Sequence, residues 1–182
     1  MKYFRQVGQM LEAAEKNAGS AVGGPADEDS EIGLLVSNTL NEMLGQEASL
    51  ASNANTSFAV EKLVRHMSAK QLLAFIHNMS GLYCHLFTNR YSSHVVQTML
   101  AQMANFIVQK ESLDEFVDCV SHIVTELDEH ILEVIKDQSG SHVLRTLAVV
   151  LNGYKPVAKK HFTTAQLKKQ RQRKKKKKKN AE

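Results

Sequence analysis

The sequence is poor in the residues that build turn-rich or cross-linked proteins. It has two prolines and two cysteines among 182 residues, which favours helices and gives no disulfide framework. It also lacks a run of about 18 apolar residues, the length that crosses a bilayer. The amino-terminal segment has no uninterrupted apolar stretch typical of a signal sequence. We therefore expect a soluble all-α protein of a reducing intracellular compartment, with no membrane partner.

The charge is divided unevenly along the chain. Residues 1–154 hold 10 Lys and Arg against 18 Asp and Glu, whereas residues 155–182 hold 13 against one. An acidic body opposes nucleic-acid binding, because Lys and Arg supply most of the sequence-independent affinity. A basic tail can bind phosphates, act as a targeting signal or keep the chain soluble. The tail cations are Lys168, Lys169, Arg171, Arg173, Lys174, Lys175, Lys176, Lys177, Lys178 and Lys179.

A short phrase recurs in the acidic body. Residues 93–98 are SHVVQT and residues 141–146 are SHVLRT, and residues 57–62, SFAVEK, are a weaker copy. On a helix, positions one, two and five of this phrase share an edge, and the apolar pair between them points toward a core. The pattern predicts an all-α solenoid of about three helical repeats that offers one edge per repeat to a linear ligand.

The spacing of the phrases indicates an insertion. They begin 36 and then 48 residues apart, so the second interval holds one repeat and about a dozen further residues. We expect these residues to lengthen a helix and loop around 101–112.

Four segments are predicted from the pattern of apolar, glycine and charged residues. Residues 1–18 form an amphipathic helix, and residues 19–29, rich in Gly, Ala and acids, form a flexible linker. Residues 30–154 form the helical repeats. Residues 155–182 form a disordered basic tail, because like charges repel and stay solvated.

Polar residues also predict where several helices begin. Ser30 is the expected cap of the first helix after the linker. Ser68 with Gln71, and Ser112 with Glu115, have the spacing of capping boxes. At the end of the repeats, the side of the last helix around Leu147, Val150 and Leu151 is expected to lack a cover.

The phrases resemble the Pumilio-type RNA-binding repeats, in which one repeat recognises one base through two or three side chains. Residues 3–7 (YFRQV), residues 46–51 (QEASLA) and the SHV phrases narrow the resemblance to the nucleolar protein nine family, divergent Pumilio-like factors of ribosome biogenesis. The resemblance covers about residues 1–155. The family has more than three repeats, so the chain is expected to be an amino-terminal part or a short form.

The resemblance implies a role for three positions of each phrase. Positions one and five hydrogen-bond the Watson–Crick edge of a base, and position two stacks between bases. With Glu61 at position five, the resemblance implies that the first phrase binds guanine. Gln97 implies that the second phrase binds adenine, and Arg145 implies that the third binds cytosine. The RNA-binding residues implied in this way are Ser57, Phe58, Glu61, Ser93, His94, Gln97, Ser141, His142 and Arg145.

Ordinary structural roles compete with this interpretation. A serine at a helix start is often only a cap, and a half-buried histidine is often only packed. Glu61 can instead pair with Lys62, Arg65 or a neighbouring repeat. Basic residues are expected to be scarce around the phrases.

Catalytic and metal-binding patterns are weak. Cys119 with His122 and Cys84 with His85 lack the close CxxC spacing of zinc sites, so neither a metal nor another cofactor is predicted. The sequence has no glycine-rich phosphate loop, and the repeats explain its Ser and His residues without a catalytic triad.

The sequence therefore predicts a non-enzymatic RNA-binding protein. The resemblance implies a chaperone of pre-rRNA processing and small-subunit assembly in the nucleolus. Its expected partners are single-stranded RNA, in particular pre-rRNA, and ribosome assembly factors. The alternative is a protein–protein scaffold, because helical repeats also bind peptides and an acidic body suits a basic partner.

Overall fold

The structure, a computed structural model, describes residues 2–17, 26–27, 29–153 and 156. Within these ranges the chain forms ten α-helices and no strand, which confirms the all-α prediction. Residues 19–25 and 28 of the predicted linker and residues 155 and 157–182 of the predicted tail lie outside the described residues. The helices are α1 (Lys2–Asn17), α2 (Glu31–Met43), α3 (Glu47–Ala51), α4 (Ser57–His66), α5 (Ala69–Asn78), α6 (Tyr83–Thr88), α7 (Ser92–Gln109), α8 (Leu113–Asp128), α9 (Ile131–Lys136) and α10 (Gln138–Leu151).

The helices repeat in sets of a short helix, a phrase-bearing helix and a third helix. In the phrase-bearing row, α4 packs between α1 and α7, and α7 packs between α4 and α10. In the other row α8 packs against α5, and α5 is joined to α2 by a hydrogen bond from Gln71 Nε2 to Ser37 Oγ at 3.0 Å. The stacking of successive sets confirms the solenoid. No helix in the described ranges is both long and apolar enough to cross a membrane.

Helix α1 is a layer of this stack. Its Val7 and Leu11 are buried, and Gly8 lets its backbone approach α4. A Cβ atom at Gly8 would lie 3.1 Å from the Cβ of Ala59, which is tighter than ordinary van der Waals contact. The packing therefore joins the predicted amino-terminal helix to the repeats.

The extra residues of the second repeat lengthen two helices. Helix α7 has 18 residues and α8 has 16, whereas α4 and α5 have 10 each. Only residues 110–112 connect α7 to α8, and Lys110 and Ser112 both have positive φ, at 59° and 47°. The insertion thus extends beyond the predicted range of 101–112 into α8.

All three helices begin where predicted, and two of the three caps are confirmed. Ser30 Oγ accepts from Gly33 N at 3.0 Å, and Ser68 with Gln71 forms a complete capping box. The prediction of a capping box formed by Ser112 and Glu115 is wrong. The left-handed backbone of Ser112 differs from the extended conformation of an N-cap, and its side chain makes no capping hydrogen bond.

The core runs through all the helices from α1 to α10. The apolar positions of the two SHV phrases face the core: Val95, Val96 and Val143 are fully buried, and Leu144 is half-buried against the core. The expectation for the end of α10 is partly wrong. Leu147 and Val150 are buried, because α10 packs against α6, α7 and α9, and Leu151 is the exposed residue of the three.

Candidate nucleic-acid interface

Each phrase lies at the start of a helix in the phrase-bearing row. The first begins at the first residue of α4, the second at the second residue of α7, and the third at the fourth residue of α10. Polar side chains in the preceding turns position the last two. Asn89 Oδ1 accepts from Tyr91 N at 2.8 Å and Ser92 N at 3.2 Å, and Asp137 Oδ1 accepts from Gly140 N at 2.7 Å. These bonds satisfy amide groups that the first turn of a helix leaves without partners.

The first two phrases meet at an open cavity between α4 and α7. It has a volume of about 230 Å³ and is lined by Ser57, Phe58, Glu61, Tyr91 and His94. Phe58 is 51% exposed, and His94 is exposed too, whereas Ser57 and Glu61 are buried. The cavity thus combines hydrogen-bonding groups with aromatic surfaces. A flat ligand with a polar edge suits both.

A hydrogen-bond network fixes Glu61. Its Oε1 accepts from Arg65 Nη2 at 2.5 Å and from Thr98 Oγ1 at 3.4 Å. Arg65 is held in turn, because its carbonyl oxygen accepts from Gln102 Nε2 at 3.2 Å. The predicted alternative pairing of Glu61 with Arg65 and with a neighbouring repeat is therefore confirmed. Both bonds use Oε1, so Oε2 can accept from a ligand without breaking either one.

Cations lie beside the aromatic rings of the cavity. Lys62 Nζ is 5.6 Å from the centroid of the Phe58 ring, and it also pairs with Glu15 of α1. The guanidinium of the exposed Arg90 is 5.2 Å from the centroid of Tyr91. Lys62 and Arg65 each pair with an acidic side chain, whereas Arg90 is exposed beside the cavity.

Within the second phrase, the two polar positions differ in their surroundings. Ser93 is buried, and its Oγ donates to the carbonyl oxygen of Arg90 at 3.3 Å. Gln97 is half-buried and donates from Nε2 to the carbonyl oxygen of Ser93 at 3.1 Å. A ligand can therefore contact His94 directly, whereas it reaches Ser93 only if local bonds change.

The third phrase lies on α10, the next helix of the row. Arg145 is exposed, and its Nη1 is 3.4 Å from Nδ1 of the half-buried His142. Ser141 Oγ donates to the carbonyl oxygen of Gln138 at 3.0 Å. The structure thus brings Arg145 and His142 together and leaves the guanidinium exposed to solvent.

Sequence reasoning missed Tyr91, which lines the cavity, and the contact of Thr98 with Glu61. Tyr91 precedes the second phrase by two residues, where the other two phrases have Asn55 and Ser139, so repetition could not reveal it. The pairing of Arg65 with Glu61 was predicted, and their i, i+4 spacing is typical of an ion pair. Thr98 belongs to the second phrase, but no local signal indicates that it contacts Glu61 of the preceding repeat.

The cysteines do not form the arrangement of an activated nucleophile. Burial raises the pKa of the Cys119 thiol, as do Asp118 and Glu115. Burial also raises the pKa of the half-buried Cys84, with Glu133 and Glu126 adding to the effect. Both shifts favour the thiol over the reactive thiolate.

Comparison with known proteins identifies similar sequences. The sequence model of one protein family, the NOP9-like PUF repeat domain, matches residues 45–182 of this chain. Nucleolar protein 9 of Yarrowia lipolytica is 30% identical over 158 residues, which cover 81% of this chain and 21% of that protein. Nucleolar protein 9 of Meyerozyma guilliermondii is 32% identical over 146 residues, covering 74% of this chain and 21% of that protein. The chain thus spans about a fifth of the length of these relatives.

Solved structures share the fold. The structure of APUM23-GGAAUUGACGG is 22% identical and superposes with a TM-score of 0.72, covering 86% of this chain and 27% of that chain. The structure of APUM23-GGAUUUGACGG superposes with a TM-score of 0.70 at the same identity and coverage. The stacked helix sets are therefore an arrangement already known in larger repeat proteins.

Proposed function

Since the chain belongs to the NOP9-like PUF repeat family, we propose that it binds single-stranded RNA along the row formed by α4, α7 and α10. The observation that carries the proposal is the cavity between the first two phrases. It is lined by two polar side chains, those of Ser57 and Glu61, and by the rings of Phe58, Tyr91 and His94. A nucleobase combines a hydrogen-bonding edge with two flat faces, and this cavity offers partners to both.

The first phrase is suited to guanine. The Watson–Crick edge of guanine presents two N–H donors, and the carboxylate of Glu61 accepts while Arg65 and Thr98 hold it in place. Phe58 and His94 supply surfaces against which the base stacks. Such stacking contributes about 1–3 kcal/mol per base in proteins that bind single strands.

The second and third phrases each extend the RNA-binding row by one repeat. Gln97 and Arg145 contact the edges of successive bases, and His142 stacks beside the third. The described body is acidic, so phosphate binding falls to Arg90 near the cavity and to the cations of residues 168–179. Base recognition and phosphate binding are then carried by different parts of the chain.

The biological setting follows from the relatives. Their name, Nucleolar protein 9, supports a nucleolar location, and we infer a role in pre-rRNA processing and small-subunit assembly. We infer a non-catalytic chaperone of pre-rRNA, with ribosome assembly factors as further partners.

Selection of RNA from a randomised pool tests the first phrase. Replacing Glu61 by Gln gives this phrase the same Ser and Gln pair as the second phrase. We expect the wild-type chain to enrich guanine at one position. The Glu61→Gln variant should lose that guanine and prefer there the base that the second phrase selects, with neighbouring positions unchanged.

A matched variant controls for the change of charge. Glu42→Gln alters an exposed carboxylate on α2, outside the phrase-bearing row, and should select the same RNA as the wild type. If Glu61→Gln also selects the wild-type RNA, the first phrase does not recognise the base and the proposal is wrong.

A protein scaffold is the competing function. Exposed apolar side chains at α9 and the end of α10 favour it: Leu132 is 68%, Ile135 53% and Leu151 58% exposed. A scaffold predicts that a basic peptide binds the body and that changes in the phrases leave RNA binding unaltered.

A further inference from the structure

The junction of α6 and α9 brings together three side chains that can ligate a metal. Cys84 lies on α6, His130 immediately precedes α9, and Glu133 lies in the first turn of α9. The sulfur, one imidazole nitrogen and one carboxylate oxygen all lie within 4.8 Å of one another. These residues come from two successive repeats, and the cluster lies outside the phrases.

Local structure does not use these side chains strongly. His130 Nδ1 and Glu133 Oε2 are 3.8 Å apart, with side chains 50% and 77% exposed, and an exposed ion pair at this distance contributes little to stability. Cys84 forms no disulfide. The nearby Glu126 has a separate role, because its two oxygens accept from Gly81 N at 2.8 Å and Tyr83 N at 2.6 Å.

The donor types select the metal class. Zn²⁺ binds thiolate sulfur, imidazole nitrogen and carboxylate oxygen in tetrahedral sites, with bonds of about 2.0–2.3 Å. Tetrahedral geometry then places the donors roughly 3.5 Å apart. Because the three donor atoms lie within 4.8 Å of one another, the side chains must rotate inward by about 1 Å at most to reach this spacing. Hard cations such as Mg²⁺ prefer oxygen ligands and match this set poorly.

We propose that Cys84, His130 and Glu133 bind a zinc ion, with water as the fourth ligand on the exposed side. Binding releases the thiol proton to solvent, because thiolate is the form that ligates. The ion then links the short helices of the second and third repeats. It fixes α9, and through α9 it fixes the packing of α10, which bears the third phrase.

Cobalt(II) titration of the reduced full chain tests this site. Cobalt(II) replaces zinc in tetrahedral sites and gives a thiolate charge-transfer absorption band. We expect the band to appear with saturation at one equivalent and to disappear when Zn²⁺ is added. Cys84→Ser should abolish the band, and His130→Ala and Glu133→Gln should each weaken cobalt binding at least tenfold.

The second cysteine provides the matched control. Cys119→Ser should retain the band, and so should His122→Ala, because neither residue belongs to the cluster. Glu133 is exposed, so its Gln variant tests the site even if Cys84→Ser fails to fold. Zn²⁺ should also raise the unfolding temperature of the wild type and leave that of Glu133→Gln nearly unchanged.

Three results would overturn the proposal. They are a wild-type chain without the band, a band that persists in Cys84→Ser, or cobalt affinity that is unaltered in both His130→Ala and Glu133→Gln. None of these readouts depends on RNA, so failure of the metal site is distinguishable from failure of the proposed RNA binding.

Discussion

The contact between α9 and α10 makes Gly140 sensitive to substitution. A Cβ atom at this position would lie 2.4 Å from the carbonyl oxygen of Val134 and 2.9 Å from its Cγ1. Because unstrained contacts lie at about 3.5 Å, Gly140→Ala must move α10 away from α9 by about 1 Å. The backbone oxygen cannot rotate aside as a flexible side chain would.

Two opposing terms set the size of the effect. Alanine favours the helix over glycine by up to about 1 kcal/mol. Overpacking of a close contact costs about 1–3 kcal/mol of folding free energy. Because the new Cβ would lie 2.4 Å from the carbonyl oxygen of Val134, the cost here is at or above the upper end of that range. We expect a net loss of about 2 kcal/mol, which lowers a urea midpoint by about 1 M at an ordinary slope for a small protein.

Urea denaturation followed by circular dichroism measures this loss. Gly8→Ala is the matched control. Its new Cβ would lie 3.1 Å from the Cβ of Ala59, so a smaller shift relieves the contact. It should cost less than Gly140→Ala. A midpoint of Gly140→Ala equal to or above the wild type would refute the close packing of α9 on α10.

Three further predictions concern stability and RNA binding. Burial raises the pKa of the Tyr83 phenol well above its usual range, so the folded state keeps it neutral while the unfolded chain ionises near pH 10. Stability should therefore fall as pH rises above about 10, and Tyr83→Phe should reduce that fall in denaturation curves recorded across this range. Replacing residues 174–179 by Gln should weaken binding of all RNAs alike and flatten its salt dependence in titrations at two salt concentrations, because fewer counterions are released. Arg145→Ala should cost about 1–3 kcal/mol for the selected RNA and much less for a scrambled one. His142→Ala should weaken the binding of the selected and the scrambled RNA alike in the same titrations. If Arg145→Ala and His142→Ala both bind these RNAs with wild-type affinity, the third phrase takes no part in binding.

The phrases were predictable because they repeat a local pattern. Each places apolar residues at positions that a helix turns inward, and burial of Val95 and Val143 follows directly from that pattern. The two SHV phrases also carry the family resemblance, which the match over residues 45–182 confirms. Local signals of this kind also located the caps at Ser30 and Ser68.

The rest of the site depends on contacts that sequence spacing does not reveal. Thr98 reaches Glu61 across 37 residues, and Tyr91 enters the cavity because α7 packs on α4. The left-handed backbone at Ser112 is set by a three-residue connection that the capping pattern ignores. Packing likewise brings Cys84 to His130 and Glu133, although the sequence suggested different partners for that cysteine.

The central claim is that the phrase-bearing row itself binds RNA. The most direct measurement is a titration of the chain in which the cations of residues 168–179 are replaced by Gln, with the selected and the scrambled RNA. The account predicts weaker binding that still prefers the selected RNA, and loss of that binding when Phe58 and His94 are also changed to Ala. Absence of any binding after neutralisation of the tail, or equal binding of both RNAs, would contradict it.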